Sequence, residues 1–292
     1  MANHPPEIDA ATGRSTTGHE WDGIKELNSP LPKWWLYVFY ATIVWSIGYW
    51  IVYPAWPLVT GYTKGLFGYS SRESVVVELD ALKALRASRS TALASASLED
   101  IQRNPDLLTF ALAQGKAAFG DNCAPCHGLS ATGARGFPNL RDDTWLWGGS
   151  LAEIRQTIAH GVRTGDDRSR QGSMPALGGP NGVLKRDEVI TVANYVRSLA
   201  GLSVRQGTDL AKGKELFETN CVACHGADGR GNRELGAANL TSANWVYGSD
   251  EATIVETINN GRGGVMPGWT GRLDDTTVKA LTIYVHALGG GQ

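Results

Sequence analysis

The feature that most constrains this chain of 292 residues is an internal repeat. Residues 115–123 (GKAAFGDNC) return 98 positions later as residues 213–221 (GKELFETNC). Further matches follow in the same order, with small drifts in spacing that indicate insertions and deletions in loops. Since only two copies are present, the pattern predicts a duplicated domain and not a solenoid.

All four cysteines lie in the repeat, in two C-x-x-C-H motifs at residues 123–127 and 221–225. Two thiols at this spacing reach both vinyl groups of one haem, and the adjacent histidine is then placed as an axial ligand of the iron. Redox-active thiol pairs, disulfides and zinc compete with this interpretation, but neither a thioredoxin-like motif nor zinc explains the repeated histidine. The motifs predict two covalent c-type haems, held by Cys123, Cys126 and His127 and by Cys221, Cys224 and His225.

The two methionines after Met1 hold equivalent positions in the repeat. Met174 and Met266 are each followed by proline in a glycine-rich stretch. A lone methionine is most often a flexible filler of the core, but the matched positions favour axial ligands. Histidine and methionine together leave no open position on the iron, so the sites are predicted to transfer electrons, and no catalytic residue is assigned.

Each repeat ends in a segment with apolar residues at helical spacing, at residues 189–199 and 278–288. This spacing predicts one amphipathic helix at the end of each unit. The units, residues 107–200 and 201–292, are about 90 residues each and rich in glycine, so a large apolar group is needed to fill their cores. Residues 60–106 are predicted to form a linker that is partly helical, with a solvated spacer as the simplest interpretation.

An apolar segment without charged residues covers residues 34–59. Its first 20 residues precede Pro54 and, as a helix, would be about 30 Å long, the thickness of a bilayer's hydrocarbon core. The preceding segment, residues 1–33, is long and polar, and no small-residue cleavage site follows the apolar run, so an anchor is favoured over a signal peptide. Lysine and arginine flank both sides, so charge does not predict the orientation.

The overall charge is close to neutral, with 27 Lys and Arg against 29 Asp and Glu, which gives no reason to expect nucleic-acid binding. The arginine-rich segment 163–170 (RTGDDRSR) is predicted to be a solvated loop, with partner steering or contact with a haem propionate as alternatives. The histidines outside the two motifs are not expected to bind iron: His4, His19, His160 and His286.

Three further motifs surround the apolar segment: GHEWDGI at residues 18–24, NSPLPKWW at 28–35 and YPAWP at 53–57. With the two repeats, which resemble class I cytochrome c domains, they resemble subunit III of cbb3-type cytochrome c oxidase over nearly the whole chain. The segment 28–30 departs from the family's pattern by at most one residue. The resemblance implies an all-α fold with one N-terminal transmembrane helix followed by two class I cytochrome c domains in tandem.

The resemblance also implies a function and a set of partners. Electrons would enter from a donor cytochrome c and pass to a mono-haem cytochrome c subunit and then to the haem–copper subunit that reduces oxygen, with membrane lipid around the anchor. This chain would carry electrons without performing the oxygen chemistry. In the family, the methionine of one domain can ligate the haem of the other, so Met174 and Met266 are crossed candidates.

Covalent haem attachment in the c-type cytochrome family takes place outside the bacterial cytoplasm. This implies a single-pass protein of the inner membrane, with residues 1–33 cytoplasmic and both haem domains periplasmic. Three other functions remain open at this point. They are a di-haem subunit of a periplasmic dehydrogenase, a di-haem peroxidase, which needs an open haem face, and a haem-based sensor, which needs an output domain.

Overall fold

The computed structural model describes residues 2–3 and 5–290. The chain divides between residues 85 and 86 into an N-terminal and a C-terminal unit, each with its own internal contacts. Helices dominate the C-terminal unit, and the few short strands with named bounds lie in the N-terminal unit. The predicted all-α class is confirmed, with strands as a minor component.

Short strands form two small antiparallel sheets in the N-terminal unit. The first has the order β1-β2-β3, and its β2–β3 turn is Asp22-Gly23, where both residues have positive φ. A two-residue turn of this kind matches the twist of a hairpin, so the polar segment predicted before the anchor is partly ordered. The strands are β1 (Ala2–Asn3), β2 (Thr16–Trp21), β3 (Ile24–Leu27), β4 (Pro57–Leu58) and β5 (Gly61–Tyr62).

Helix α1 (Lys33–Val52) is the apolar helix that the sequence predicts. Its 20 residues give it a length of about 30 Å, and it ends two residues before Pro54. None of its residues is buried within the protein, although most are large and apolar. In the described part of the chain it is the one helix long and apolar enough to cross a bilayer.

The C-terminal unit repeats one series of helices. A long helix leads into a short turn at each cysteine motif, a third helix follows after a loop, and a final helix closes each repeat. After α2 (Ser71–Ser95), which begins in the N-terminal unit, the helices are α3 (Leu98–Arg103), α4 (Pro105–Asn122), α5 (Ala124–His127), α6 (Leu151–His160), α7 (Arg186–Leu199), α8 (Leu210–Asn220), α9 (Val222–His225), α10 (Glu251–Asn260) and α11 (Asp275–His286).

The final helix of each repeat packs against the first helix of the other repeat. Helix α11 lies on α4, and α7 lies on α8. Each pair of helices makes its close contact at a glycine. A Cβ on Gly115 would stand 2.3 Å from the Ala280 carbonyl oxygen, and a Cβ on Gly213 would stand 2.8 Å from the Tyr195 Cβ. Only a residue without a side chain permits such an approach of two helices.

Each of the two apolar cores of the repeats therefore draws on both repeats. In one core, Phe119 and Ile158 from the first repeat pack with Leu281 from the second. In the other, Val192 from the first repeat packs with Phe217 and Ile258 from the second. The sequence boundary between the repeats lies between residues 200 and 201. Each packed core nevertheless contains the final helix of the other repeat, as in a domain swap within one chain.

The end of the predicted linker belongs to the folded C-terminal unit. Leu93 and Ile101 are fully buried, in a cluster with residues of α4, α6 and α11. The Lys279 ammonium donates to the carbonyl oxygens of Ala94 and Ala96, at 2.6 and 2.9 Å, where α2 ends. A cation is favourable at this end of a helix. Because Leu93 and Ile101 are buried in the C-terminal unit, the expectation of a solvated spacer is wrong for this part of residues 60–106.

Candidate haem sites

Both cysteine motifs form the same helical turn at the end of a long helix. The Cys123 amide donates to the Phe119 carbonyl oxygen at 2.8 Å, and the His127 amide donates to the Cys123 carbonyl oxygen at 2.9 Å. The motif at Cys221 and His225 repeats both hydrogen bonds at the same distances. Each turn thus brings two thiols and one imidazole together on a single short stretch of backbone.

A backbone carbonyl orients each imidazole. The Nδ1 of His127 lies 3.1 Å from the Pro138 carbonyl oxygen, and the Nδ1 of His225 lies 2.9 Å from the Ala238 carbonyl oxygen. Because a carbonyl only accepts, Nδ1 carries the proton and Nε2 keeps its lone pair for a metal. Burial lowers the pKa of both histidines, which favours the neutral form that ligates iron.

The thiols are unlike those of a redox-active or zinc-binding pair. Burial, with a smaller contribution from the neighbouring cysteine, raises the pKa of Cys123 and of Cys221 to about 11. Reactive thiol pairs and zinc ligands require thiolates, which a raised pKa disfavours. The raised pKa of both thiols therefore disfavours the two alternatives.

Each methionine lies against the core that contains the cysteine motif of the other repeat. Met174 packs on the core that includes Cys221 and Phe217. Met266 packs on the core that includes Cys123 and Phe119. The packing of the two methionines is therefore crossed between the repeats.

The two segments that cross between the cores are joined by backbone pairing. Val162 and Met266 exchange hydrogen bonds of 2.9 and 3.1 Å, and Met174 and Arg262 exchange hydrogen bonds of 2.9 and 3.0 Å. Beside them, Gly161 has φ +73, and a Cβ there would stand 2.3 Å from the Met266 carbonyl oxygen. A Cβ on the matching glycine of the second repeat, Gly261, would stand 2.3 Å from the Met174 carbonyl oxygen.

The donor groups and the polar atoms of these cores fit a haem. Met174, Cys221 and Trp245 pack on one apolar core, and the indole Nε1 of Trp245 is buried without a hydrogen-bond partner. A buried donor without an acceptor is costly, and the carboxylates of a haem would supply an acceptor. In the other site, the matching Trp145 Nε1 donates to the Gly290 carbonyl oxygen.

The remaining described histidines have other partners. His160 is buried and lies 2.7 Å from Asp166, and this hydrogen bond lowers the pKa of that carboxyl. His19 lies 3.3 Å from Glu26, and His286 lies 3.1 Å from the Gln102 amide nitrogen. His4 is outside the described residues.

The arginine-rich segment 163–170 is only partly solvated. Arg168 is exposed, but Ser169 is buried and the Arg163 guanidinium donates to the carbonyl oxygens of Gly172 and Gly264. The expectation of a solvated loop is therefore wrong for part of this segment. Comparison of the two repeats offered a sequence signal for Arg163, because the second copy has Gly263 at the equivalent position.

The fold and the two sites define a di-haem c-type cytochrome with one apolar helix that fits a membrane anchor. Three family models match the chain: the N-terminal domain of cytochrome oxidase-cbb3, FixP (residues 13–60), cytochrome c (112–200), and cytochrome c oxidase, cbb3-type, subunit III (208–285). The chain belongs to the family of cbb3-type cytochrome c oxidase subunit III, and it carries two covalently bound c-type haems.

Curated relatives support the assignment over the full length. The chain is 62% identical to the cbb3-type cytochrome c oxidase subunit FixP of Bradyrhizobium sp. (strain ORS 278), with all of both chains covered. It is 60% identical to that of Bradyrhizobium diazoefficiens, again with all of both chains covered. The relative from Azorhizobium caulinodans is 58% identical, over 99% of this chain and 98% of that one. Membership of this family separates the chain from the dehydrogenase, peroxidase and sensor alternatives.

Proposed function

We propose that this subunit carries electrons from a donor cytochrome c toward the mono-haem and haem–copper subunits of the oxidase, and that it does not itself reduce oxygen. The observation that carries the proposal is that one cysteine of each C-x-x-C-H turn packs on an apolar core together with the methionine of the other repeat, while the same turn carries the second thiol and the imidazole. A bound c-type haem supplies a one-electron couple, and histidine with methionine leaves no open position on its iron.

In the first site, Cys123 and Cys126 are proposed to hold the haem covalently, with His127 and Met266 as axial ligands. In the second, Cys221 and Cys224 hold it, with His225 and Met174 as axial ligands. The support for the crossed methionines is their packing, since each lies on the core of the other repeat's cysteine motif.

The protein's own groups orient the ligands and keep water away. The carbonyl oxygens of Pro138 and Ala238 hold the Nδ1 protons of the two imidazoles, which fixes the ring orientation and makes Nε2 a stronger donor. Phe119 and Phe217, which are 2% and 1% exposed, line the cores beside the cysteines. A dry apolar surrounding and a thioether ligand both favour a high reduction potential.

For topology, we propose a single-pass protein of the bacterial inner membrane. Residues 34–59 form the anchor, residues 1–33 are cytoplasmic and the two repeats, 107–200 and 201–292, are periplasmic. The support is the side on which covalent haem attachment takes place. Protease added to intact spheroplasts should digest residues 86–292 and spare an N-terminal tag; digestion of the tag would reverse the orientation.

The proposal is tested by purifying the full chain from its native membranes through an affinity tag in mild detergent. We expect b-type haem and copper to copurify with the c-type haem, and the preparation to consume oxygen when supplied with reduced cytochrome c. An untagged strain treated identically is the control. Recovery of c-type haem alone, or of a dehydrogenase, would overturn the proposed partners.

A further inference from the structure

One guanidinium joins the two loops that carry the methionines. The Arg163 Nε donates to the Gly264 carbonyl oxygen at 2.6 Å, and its Nη1 donates to the Gly172 carbonyl oxygen. Gly172 stands two residues before Met174, and Gly264 stands two residues before Met266. The same side chain therefore binds the same backbone position in both methionine loops.

The backbone of Arg163 is held in a conformation that this residue type rarely adopts. Its φ is +54, in the left-handed region that favours glycine. The surrounding segment maintains it, because the Arg163 amide donates to the Arg170 carbonyl oxygen at 2.7 Å and the Thr164 amide donates to the Ser169 hydroxyl at 3.0 Å. Strain that surrounding hydrogen bonds maintain is typical of functional positions.

The charge on Arg163 is balanced by carbonyl dipoles. In the part of the chain that the structure describes, no carboxylate lies within ion-pair distance of its guanidinium. The side chain is half-buried, and this burial lowers the pKa of Arg163. A planar fork of donors suits this setting, since it serves two acceptors at once.

The second copy of the repeat has a glycine in place of this arginine. Gly263 holds the matching position in the second copy, and a Cβ there would stand 3.9 Å from the Arg163 Cδ. The two copies thus meet at this point, and the arginine of one occupies the space beside the glycine of the other. The backbone of the neighbouring Val162 pairs with that of Met266. The Arg163 side chain and the Val162 backbone therefore both bind the loop that carries Met266.

We propose that Arg163 is a positioning residue that holds both methionine loops, and through them the axial ligation of both haems. The proposal rests on the proposed function, in which Met174 and Met266 are ligands. It means that one substitution, distant in sequence from either cysteine motif, changes both sites together.

The decisive variant is Arg163→Lys in the full chain, purified in detergent with both haems attached. Lysine keeps the positive charge and loses the fork, so an effect of geometry is separated from an effect of charge. We expect both reduction potentials to fall and both methionine ε-methyl proton resonances to shift or broaden, because a loosened thioether stabilises the reduced iron less. Arg163→Gln, which also removes the charge, should have a larger effect on both.

Arg168→Met is the matched control, since it removes an exposed positive charge from the same segment and should leave both potentials unchanged. Unchanged potentials and resonances in Arg163→Lys, with a change only in Arg163→Gln, would mean that the charge alone acts and would overturn the proposal. A change confined to one haem, or an equal change in Arg168→Met, would overturn it as well. If Met174→Ala and Met266→Ala leave the potentials unchanged, the ligation itself fails, which is a separate result.

Discussion

The ring of Tyr284, in the last helix of the chain, lies 5.4 Å from the ring of Phe119 in α4, the helix that leads into the first cysteine motif. The two residues belong to different sequence repeats. The equivalent pair, Tyr195 and Phe217, is 5.5 Å apart and also joins the two repeats. Each core is therefore completed by a helix from the other repeat, and the methionine of that repeat lies against it, which has consequences that can be tested.

We predict that each methionine serves the haem of the other repeat. In a Cys221→Ala/Cys224→Ala chain, which keeps only the first haem, Met266→Ala should lower the reduction potential strongly and Met174→Ala should have little effect. The physical reason is that Met266 packs on the core beside Cys123. Redox titration of the purified chains decides it, and the reverse result would show that each methionine serves its own repeat.

Gly115→Ala should destabilise the C-terminal unit. A new Cβ would stand 2.3 Å from the Ala280 carbonyl oxygen, so α4 and α11 must move apart. Overpacking of this kind costs about 1–3 kcal/mol, and thermal unfolding followed by circular dichroism measures it. Gly120→Ala is the control in the same helix, because nothing lies within 4 Å of its Cβ. Alanine there should stabilise by roughly 0.5–1 kcal/mol. Equal effects of the two variants would contradict the close helix contact.

Lys279→Met should loosen the end of α2. The ammonium donates to the Ala94 and Ala96 carbonyl oxygens, and a cation at a helix C-terminus contributes about 0.3–1 kcal/mol, more where partly buried. Hydrogen exchange should accelerate at residues 90–97 before the rest of the unit. Lys83→Met is the control, since Lys83 is an exposed lysine of α2 itself, and it should leave exchange at residues 90–97 unchanged. Unaltered exchange in Lys279→Met would show that these hydrogen bonds do not hold the helix end.

Asp166 should contribute to stability in a pH-dependent way. Its hydrogen bond with His160 holds the pKa of the carboxyl below its ordinary value of 3.8. A carboxyl with a lowered folded-state pKa stabilises the fold fully above its unfolded pKa, and this contribution is lost as the pH falls through the folded value. Denaturant unfolding from neutral pH to about pH 3 should therefore show a weaker acid dependence in Asp166→Asn than in the native chain. Asp167→Asn, at the exposed neighbouring position, should behave like the native chain, and parallel curves for all three would contradict the prediction.

Local sequence signals predicted much of the fold. The apolar run before Pro54 predicted α1, and the apolar spacing at 189–199 and 278–288 predicted α7 and α11 within a few residues. The hairpin of β2 and β3 was missed, although Asp22-Gly23 is a typical two-residue turn between strands. The inward orientation of Arg163 had no local signal, because one of the two carbonyl groups that it binds, that of Gly264, lies 101 residues away in the chain.

The sequence by itself determined the chemistry of the two sites. Covalent attachment needs two thiols and a histidine within five residues, and that requirement is met by local spacing alone. Only the tertiary structure decided which segments complete each site. The final helices of the two repeats have matching apolar patterns, so either could pack on α4 or on α8. The short connection from Leu199 to Leu210 places α7 beside α8, which leaves α11 to pack on α4, with Met266 against the same core.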